Sequence, residues 1–452
     1  MSLSNRAHEA EESCKGMELW EVIPNLFDAE TNPDGIVSLG VAENSLMHDV
    51  LRKHIHDNLA LSNPAFTYGD GTTGTKRVKQ AVSRFLNTYL KPFRPIEPAH
   101  VTMTNGCSAA IEHLSWAVAN PGDVFLLGQP YYGTFVPDLT SRFGAKLHLV
   151  SFGEIDPVGE DAVARYEEVI LDSQSKGVKV AGLIISHPHN PLGRCYSRNA
   201  LTALMKLCQK YKVHFISDEI YALSVWTNTV DQHPPAVPFE SALSINTMGI
   251  IDPGHVHVLW GMSKDFGANG IRVGTIVSQA NLSLHAAIVA VGIYSSVSSI
   301  SDHVTVNILE DDAFVKSYLA ENQRMLSTQY TRVVSWARKN KIDYAPGVNA
   351  AFFLWVDLGK AYEARHPDVK ADDITDLVMA KLMKRKVFLA SGKAFGSEKP
   401  GWFRIVFSHS DENLDLGLQR TPEPQTGLVL VVMQQAQSRD IQHVPWCRAS
   451  QR

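Results

Sequence analysis

The chain is short of several things, and each shortage excludes a class. It has five cysteines (Cys14, Cys107, Cys195, Cys208 and Cys447) in 452 residues, none in C-x-x-C spacing. So sparse and odd a set argues against a disulfide framework or a zinc site, so no metal is expected, and it suits a reducing compartment. Long hydrophobic runs are missing. "LVLVVM" near the end is far below the roughly 20 apolar residues that span a bilayer. The opening segment "MSLSNRAHEAEESCKG" is polar, mixed in charge and without an apolar h-region. No secretory signal is read there, and a cytoplasmic protein with no membrane partner is expected. Positive charge is not in excess: 42 Lys and Arg stand against 47 Asp and Glu, a net charge of −5, which leaves no basic footprint for nucleic acid. Nucleotide signatures are incomplete. "DFG" at Asp265–Gly267 comes without the H-R-D loop of a kinase. "GANG" at Gly267–Gly270 has G-x-x-G spacing rather than G-x-G-x-x-G, and "SGKAFG" at Ser391–Gly396 is not a phosphate loop.

What is present reads as an ordinary globular protein, 44% apolar and 20% charged. At roughly 150 residues per domain, the length suggests two or three domains. "GMELWEVI" is a short amphipathic helix or arm. "GIVSLGVAENSL" is strand-like. Val78, Val82, Phe85 and Leu86 recur at helical spacing over Lys76–Leu90. Then strands alternate with helices: "HVTMTNG" and "SAAIEHLSWAVA", the buried strands "DVFLLGQPYY" and "KLHLVSF", "VAGLIISHPHNPLG" before "ALTALMKLCQKY", then "VHFISDEIY" and "HVHVLWGMS". Short apolar runs between helical patterns predict a mainly parallel sheet covered by helices on both faces. After Asp311 a long helix over about Phe314–Asn340 leads into "NAAFFLWVDL", "VFLASGKAF" and "WFRIVFS", a smaller α+β unit. No internal repeat or low-complexity tract is seen.

In such sheets ligands bind beyond the carboxyl ends of the strands. Polar residues collect there: Cys107 and Ser108, Tyr132, Asn190, Asp218 and Tyr221, Ser263 and Lys264, with Arg272 eight residues on. Each has an ordinary structural reading, as an N-cap, a core aromatic or a turn. Their joint placement at strand ends points to pyridoxal 5'-phosphate. That cofactor needs a lysine amine for its aldehyde and a carboxylate for its pyridine nitrogen. It also needs helix-terminal N–H groups with a cation for its phosphate, and a flat ring to stack on.

"NPDGIVSLGVAENSL", "NPGDVFLLGQPYYGTF", "HPHNPLG", "SDEIYA", "SKDFGANGIRVG" and "PGWFRIVFS" occur in that order. On these blocks, from about Met17 to Leu416, the chain resembles the class I/II aminotransferases of PLP fold type I, in the branch of 1-aminocyclopropane-1-carboxylate (ACC) synthases and their relatives. The resemblance implies a large α/β/α domain and a smaller α+β domain. The expected division is residues 1–65 as arm and part of the small domain, 66–310 as the large domain, 311–420 as the C-terminal small domain and 421–452 as an atypical tail. It further implies that Lys264 is the Schiff-base lysine and proton shuttle, and that Asp218 partners the pyridine nitrogen. Tyr221 and Asn190 would bond the ring oxygen, Tyr132 would stack, and Cys107, Ser108, Ser263 and Arg272 would hold the phosphate. Arg404 would clamp the substrate carboxylate, and Glu43 would lie beside the substrate. A homodimer with shared sites is also implied.

The chain departs from the family pattern at three places. Gly261 stands where a serine is usual, so one phosphate hydroxyl is missing and a serine there is expected to be tolerated. "FTYGDGTTG" is longer than the family's tyrosine turn; Tyr68 is expected to fill the slot that reaches the partner subunit, with Thr72 at the ungapped position. Prolines 422 and 424 would end the last helix. The expected reaction is amino transfer from an α-amino acid to a 2-oxo acid. A carbon–sulfur lyase, ACC synthase-type elimination, or a non-catalytic ligand-binding relative are the alternatives.

Overall fold

The computed structural model describes residues 3–15 and 18–421; the tail after Thr421, including Pro422 and Pro424, lies outside the described residues. Seven strands form the main sheet: β1 (Val101–Thr104), β2 (Val124–Gly128), β3 (Lys146–Val150), β4 (Val180–Ser186), β5 (His214–Asp218), β6 (Val256–Gly261) and β7 (Gly274–Val277). Their spatial order is β1-β7-β6-β5-β4-β2-β3. All neighbours are parallel except β7, which runs antiparallel to both β1 and β6.

The apolar runs of these strands divide by alternation. In β2, Val124 and Leu126 enter one core with Leu183, Phe215, Val258 and Trp260, while Phe125 and Leu127 enter the other with Ile184, Ile216, Leu259 and Ile276. Burial on both faces is why these segments read as continuous hydrophobic runs rather than alternating ones. β3 differs. It is one of the two edge strands, and only Val150 of its five residues is buried, so "KLHLVSF" is not the buried strand its composition suggests. The helix Lys76–Leu90 forms where its periodicity puts it, capped by the Thr75 hydroxyl accepting from Val78 N–H at 3.1 Å.

A second, antiparallel sheet joins β8 (Asp343–Tyr344), β9 (Phe353–Asp357), β10 (Ala390–Ser391) and β11 (Trp402–Val406) in the order β10-β11-β9-β8. Its core takes one face of the long helix Asp312–Lys339 through Leu326, Tyr330 and Val333. It also takes Val22, Ile36, Val37 and Leu39 from the N-terminal part of the chain. Val37 and Ser38 pair in parallel with Val387 and Phe388. This pairing brings the stretch after Leu39 back over the ends of the main strands. The last helix, Asp411–Arg420, stops before the prolines expected to end it.

Candidate active site

Three strand ends build the floor of the site. Asp218 closes β5 and lies in register between Ser186 of β4 and Leu259 of β6. Gly261 closes β6 opposite Gly274, and Thr104 closes β1 opposite the same glycine. Helix α1 (Cys107–Val118) starts at once after β1, so its unpaired N–H groups face the strand ends. Gly106 makes that turn at φ +83°, a left-handed conformation that glycine adopts without strain. A Cβ on Gly106 would sit 2.1 Å from Arg272 Nη2, and one on Gly274 would sit 2.6 Å from Cys107 N. Arg272 and the helix start therefore meet only because these two positions lack side chains.

Around this floor lies a cavity lined by Cys107, Ser108, Tyr132, Asn190, Asp218, Tyr221, Ser263, Lys264 and Arg272, with Ile111, Ser186, Ile220 and Asn269. Nine of the residues singled out from the sequence are thus brought to one place. Arg404, on β11, reaches it from the second sheet. Its Nη1 donates to Asn190 Oδ1 at 2.8 Å and its Nη2 to the Gly40 carbonyl at 2.7 Å. Lys264 Nζ donates to the Ala42 carbonyl at 2.5 Å. The 40–42 backbone thereby roofs the site.

Arg404, Glu43 and Tyr68 are not in the lining itself. The Glu43 side chain is exposed beside the roof, although its charge acts on Lys264. Tyr68 is 92% exposed and is not part of the cavity lining. Thr72 donates to the Val289 carbonyl at 3.4 Å.

Burial sets the electrostatics. The Lys264 amine is pulled down to about 8, first by desolvation and then by Arg404, against the pull of Glu43. The Asp218 carboxyl is pushed up to about 7 by desolvation; its main offset is one backbone hydrogen bond, from Ile220 N–H at 3.3 Å. Desolvation lowers Arg404 to about 10, with Tyr221 and Tyr132 opposing. No carboxylate pairs with Arg404 among the described residues, and its Nε is buried without a hydrogen-bond partner. Phe353 and Phe395 flank the guanidinium, with ring centroids 4.4 and 4.7 Å from Cζ. A buried cation held only by neutral acceptors and rings is well placed for an incoming anion.

Two further residues matter here. Asp265 of "DFG" is fully buried and accepts from Trp260 Nε1 at 3.0 Å, Ser224 Oγ at 2.8 Å and Leu223 N at 3.2 Å. It thereby fastens the turn bearing Lys264 to the segment after Tyr221. Asn269 Nδ2 donates to the Ala42 carbonyl at 3.2 Å. Its position in the "GANG" turn was the only sequence signal for it.

Gly261 carries a steric requirement that its sequence context hides. A Cβ there would lie 2.5 Å from the Val273 carbonyl oxygen and 3.2 Å from both Cys107 Sγ and Gly274 Cα. The expected tolerance of serine is therefore corrected: the hydroxyl would come with a backbone collision. Gly261→Ser should cost about 1–3 kcal/mol of stability through overpacking and weaken cofactor retention. Thermal melts and equilibrium dialysis check this. An unchanged melting temperature with tighter retention would show that the strand end yields.

The residues present fit pyridoxal phosphate. Asp218 is a buried acceptor with one weak protein donor, Lys264 is a desolvated amine, and the bare α1 start meets Arg272 through glycines that leave room for close backbone approach.

The fold is the aspartate aminotransferase-like fold type I. The structure of aspartate aminotransferase from Thermus thermophilus with maleate superposes with a TM-score of 0.70 at 18% identity, covering 93% of this chain and 98% of that one. Residues 34–420 match the family described as aminotransferase class I and II, and the chain belongs to that family. It is 32% identical over 414 residues to 1-aminocyclopropane-1-carboxylate synthase-like protein 1 of Mus musculus, covering 90% of this chain and 79% of that protein. It is 30% identical over 404 residues to a Mus musculus protein named probable inactive 1-aminocyclopropane-1-carboxylate synthase-like protein 2, covering 87% and 66%. No helix among the described residues is long and apolar enough to cross a membrane.

Proposed function

We propose that this chain is a pyridoxal phosphate-dependent enzyme that moves the amino group of an α-amino acid to a 2-oxo acid. The observation that carries the reading is a desolvated lysine and a buried carboxyl lining one cavity, with a buried arginine that no carboxylate among the described residues pairs bonded to Asn190 of the same lining. When bound, the cofactor supplies an aldehyde that links to amines and a protonated ring that accepts an electron pair.

The chain's own residues do the rest. Arg404 holds the substrate α-carboxylate through a planar fork that lysine cannot reproduce. Asn190 fixes the guanidinium's orientation from the other side. Lys264 Nζ, once released from the Ala42 carbonyl, takes the proton from the substrate Cα and returns it on the same face. At about 8, its amine is neutral in about a tenth of molecules at pH 7, far more than a solvated lysine allows. Asp218 would keep a proton on the ring nitrogen. Tyr221 and Asn190 would bond the ring oxygen, Tyr132 would support the ring, and the Cys107–Ser108 helix start with Ser263 and Arg272 would receive the phosphate.

A homodimer completes the reading. Exposed Leu59, Leu61, Phe66 and Tyr68 stand beside exposed Val289, Ile293, Tyr294 and Ile300, joined through the Thr72–Val289 hydrogen bond. Pairing this apolar face with a second copy would carry Tyr68 toward the partner's site. The reshaped turn around Tyr68 favours transamination over ACC-type elimination, which relies on that slot. The alternative of a non-catalytic relative draws on the mouse protein named probable inactive.

Arg404→Lys tests substrate recognition. The variant should raise KM and lower kcat/KM on the order of 10²-fold, about 3 kcal/mol for a broken buried ion pair. Steady-state kinetics with the best amino acid from a panel check it, and an unchanged KM would remove Arg404 from the carboxylate site.

A further inference from the structure

The amino transfer proposed above exchanges two amines, that of Lys264 and that of the substrate, and only one of them is linked to the cofactor at a time. The other is destabilised by burial unless it finds acceptors inside the cavity. Lys264 Nζ donates to the Ala42 carbonyl at 2.5 Å, and Asn269 Nδ2 donates to the same oxygen at 3.2 Å. The second bond fixes the amide, since only its nitrogen can donate to a carbonyl. Asn269 Oδ1 is thereby left over. It is buried without a hydrogen-bond partner, the only side-chain atom of the cavity lining of which this is true. A protonated lysine has three N–H donors, and Lys264 uses one of them on Ala42. Unused donors and an unused acceptor thus flank one carbonyl. The turn that carries the amide is tied down as well, because the Asn269 backbone carbonyl accepts from Arg272 Nη1 at 2.9 Å. Gly40, two residues before Ala42 on the roof, takes Arg404 Nη2. The carboxylate clamp and this pair of acceptors therefore hang from one short stretch of chain.

We propose that the Ala42 carbonyl and Asn269 Oδ1 form a seat for a primary ammonium, in which Asn269 positions whichever amine is free, that of Lys264 or that of the substrate. The proposal rests on the functional reading above. Only hydrogen bonds form and break. The ammonium takes Oδ1 as its second acceptor, and Nδ2 keeps the Ala42 carbonyl bonded when the ammonium departs. The seat answers a difficulty in the charge of the site. The groups facing Lys264 are Arg404 and Arg272, which act against its positive charge, and Glu43 and Cys107, which favour it, with Asp218 near enough to feel the lysine in turn. Two neutral acceptors that bond the charged amine offset part of the pressure from the arginines and from burial.

The cofactor-free protein tests the lysine as occupant. The rate at which acetic anhydride labels the Lys264 peptide, followed by mass spectrometry across pH, gives the pKa of that amine, about 8 in wild type. Asn269→Leu, apolar and of similar size, should lower it by about one unit, because losing an acceptor favours the neutral amine. Asn269→Asp should raise it by about one unit or more. A merely structural role gives leucine the opposite sign: a loosened roof admits water, and the amine returns toward its ordinary 10.5. The reconstituted enzyme tests the substrate as occupant. There Asn269→Leu should raise KM for the best amino acid of the panel about tenfold. The inhibition constant of the matching carboxylic acid that lacks the amine should not move. A lowered pKa with unmoved KM assigns the seat to Lys264, and a raised KM with unmoved pKa assigns it to the substrate. Neither shift, or a pKa that rises in Asn269→Leu, would overturn the proposal. Should Asn269→Leu fail to fold, Asn269→Asp alone must raise the pKa, and an unmoved value overturns the seat. The stated pKa shifts in a protein whose Lys264 never takes up pyridoxal phosphate would instead uphold the seat and remove the cofactor reading.

Discussion

Lys264→Ala is expected to abolish turnover, by about 10⁴-fold or more, while leaving the fold intact. The side chain makes one hydrogen bond, to the Ala42 carbonyl, and its amine is already drawn toward the neutral form by burial. Its removal therefore deletes little that the folded chain depends on. What it deletes is the only lysine in the cavity lining. Borohydride reduction of the wild type with pyridoxal phosphate should mark the peptide containing Lys264, and the variant should yield no adduct there. Recovery of the adduct on another lysine in wild type would sink the assignment.

Asp218→Asn should lower turnover by about 10³-fold while the cofactor still binds, because an amide cannot hold a proton on the ring nitrogen as a carboxylate does. The same substitution has an opposite effect on stability, and the sign follows from linkage. In the cofactor-free protein the carboxyl is pushed up from its ordinary 3.8 to about 7. The folded state therefore keeps a proton that the unfolded chain has released, and stability falls as pH rises from about 4 to 7. Cofactor-free Asp218→Asn lacks this penalty. It should melt above wild type at pH 8, and the gap should narrow as the pH falls from 7 toward 4. Near-normal turnover in the variant would mean that another acid faces the ring.

These two residues were legible in the sequence for a physical reason. Both follow apolar runs that can only be buried strands, and a polar residue at the carboxyl end of such a strand has few places to go. Lys76–Leu90 was legible because Val78, Val82, Phe85 and Leu86 recur at helical spacing, and the structure adds a Thr75 cap. β7 was not. Its four residues carry no period long enough to distinguish a strand, and its antiparallel direction is set by the return from Arg272. β3 is half exposed at one edge of the sheet while β1 at the other edge is buried throughout, a difference that composition does not reveal. Gly261 misled because a missing hydroxyl is visible in a sequence whereas the Val273 carbonyl packed against its Cα is not. The roof from Gly40 to Ala42 was likewise hidden, since backbone carbonyls leave no residue signature.

The central claim is amino transfer through this cavity, and nitrogen tracing tests it most directly. The reconstituted protein would be given a panel of ¹⁵N-labelled amino acids with an unlabelled 2-oxo acid, and the products read by mass spectrometry. The label should appear in the amino acid formed from the added 2-oxo acid, in step with loss of donor, and should not move in Lys264→Ala. Sustained release of pyruvate, ammonia or thiol with no acceptor present, or formation of the cyclopropane amino acid from S-adenosylmethionine, would contradict it.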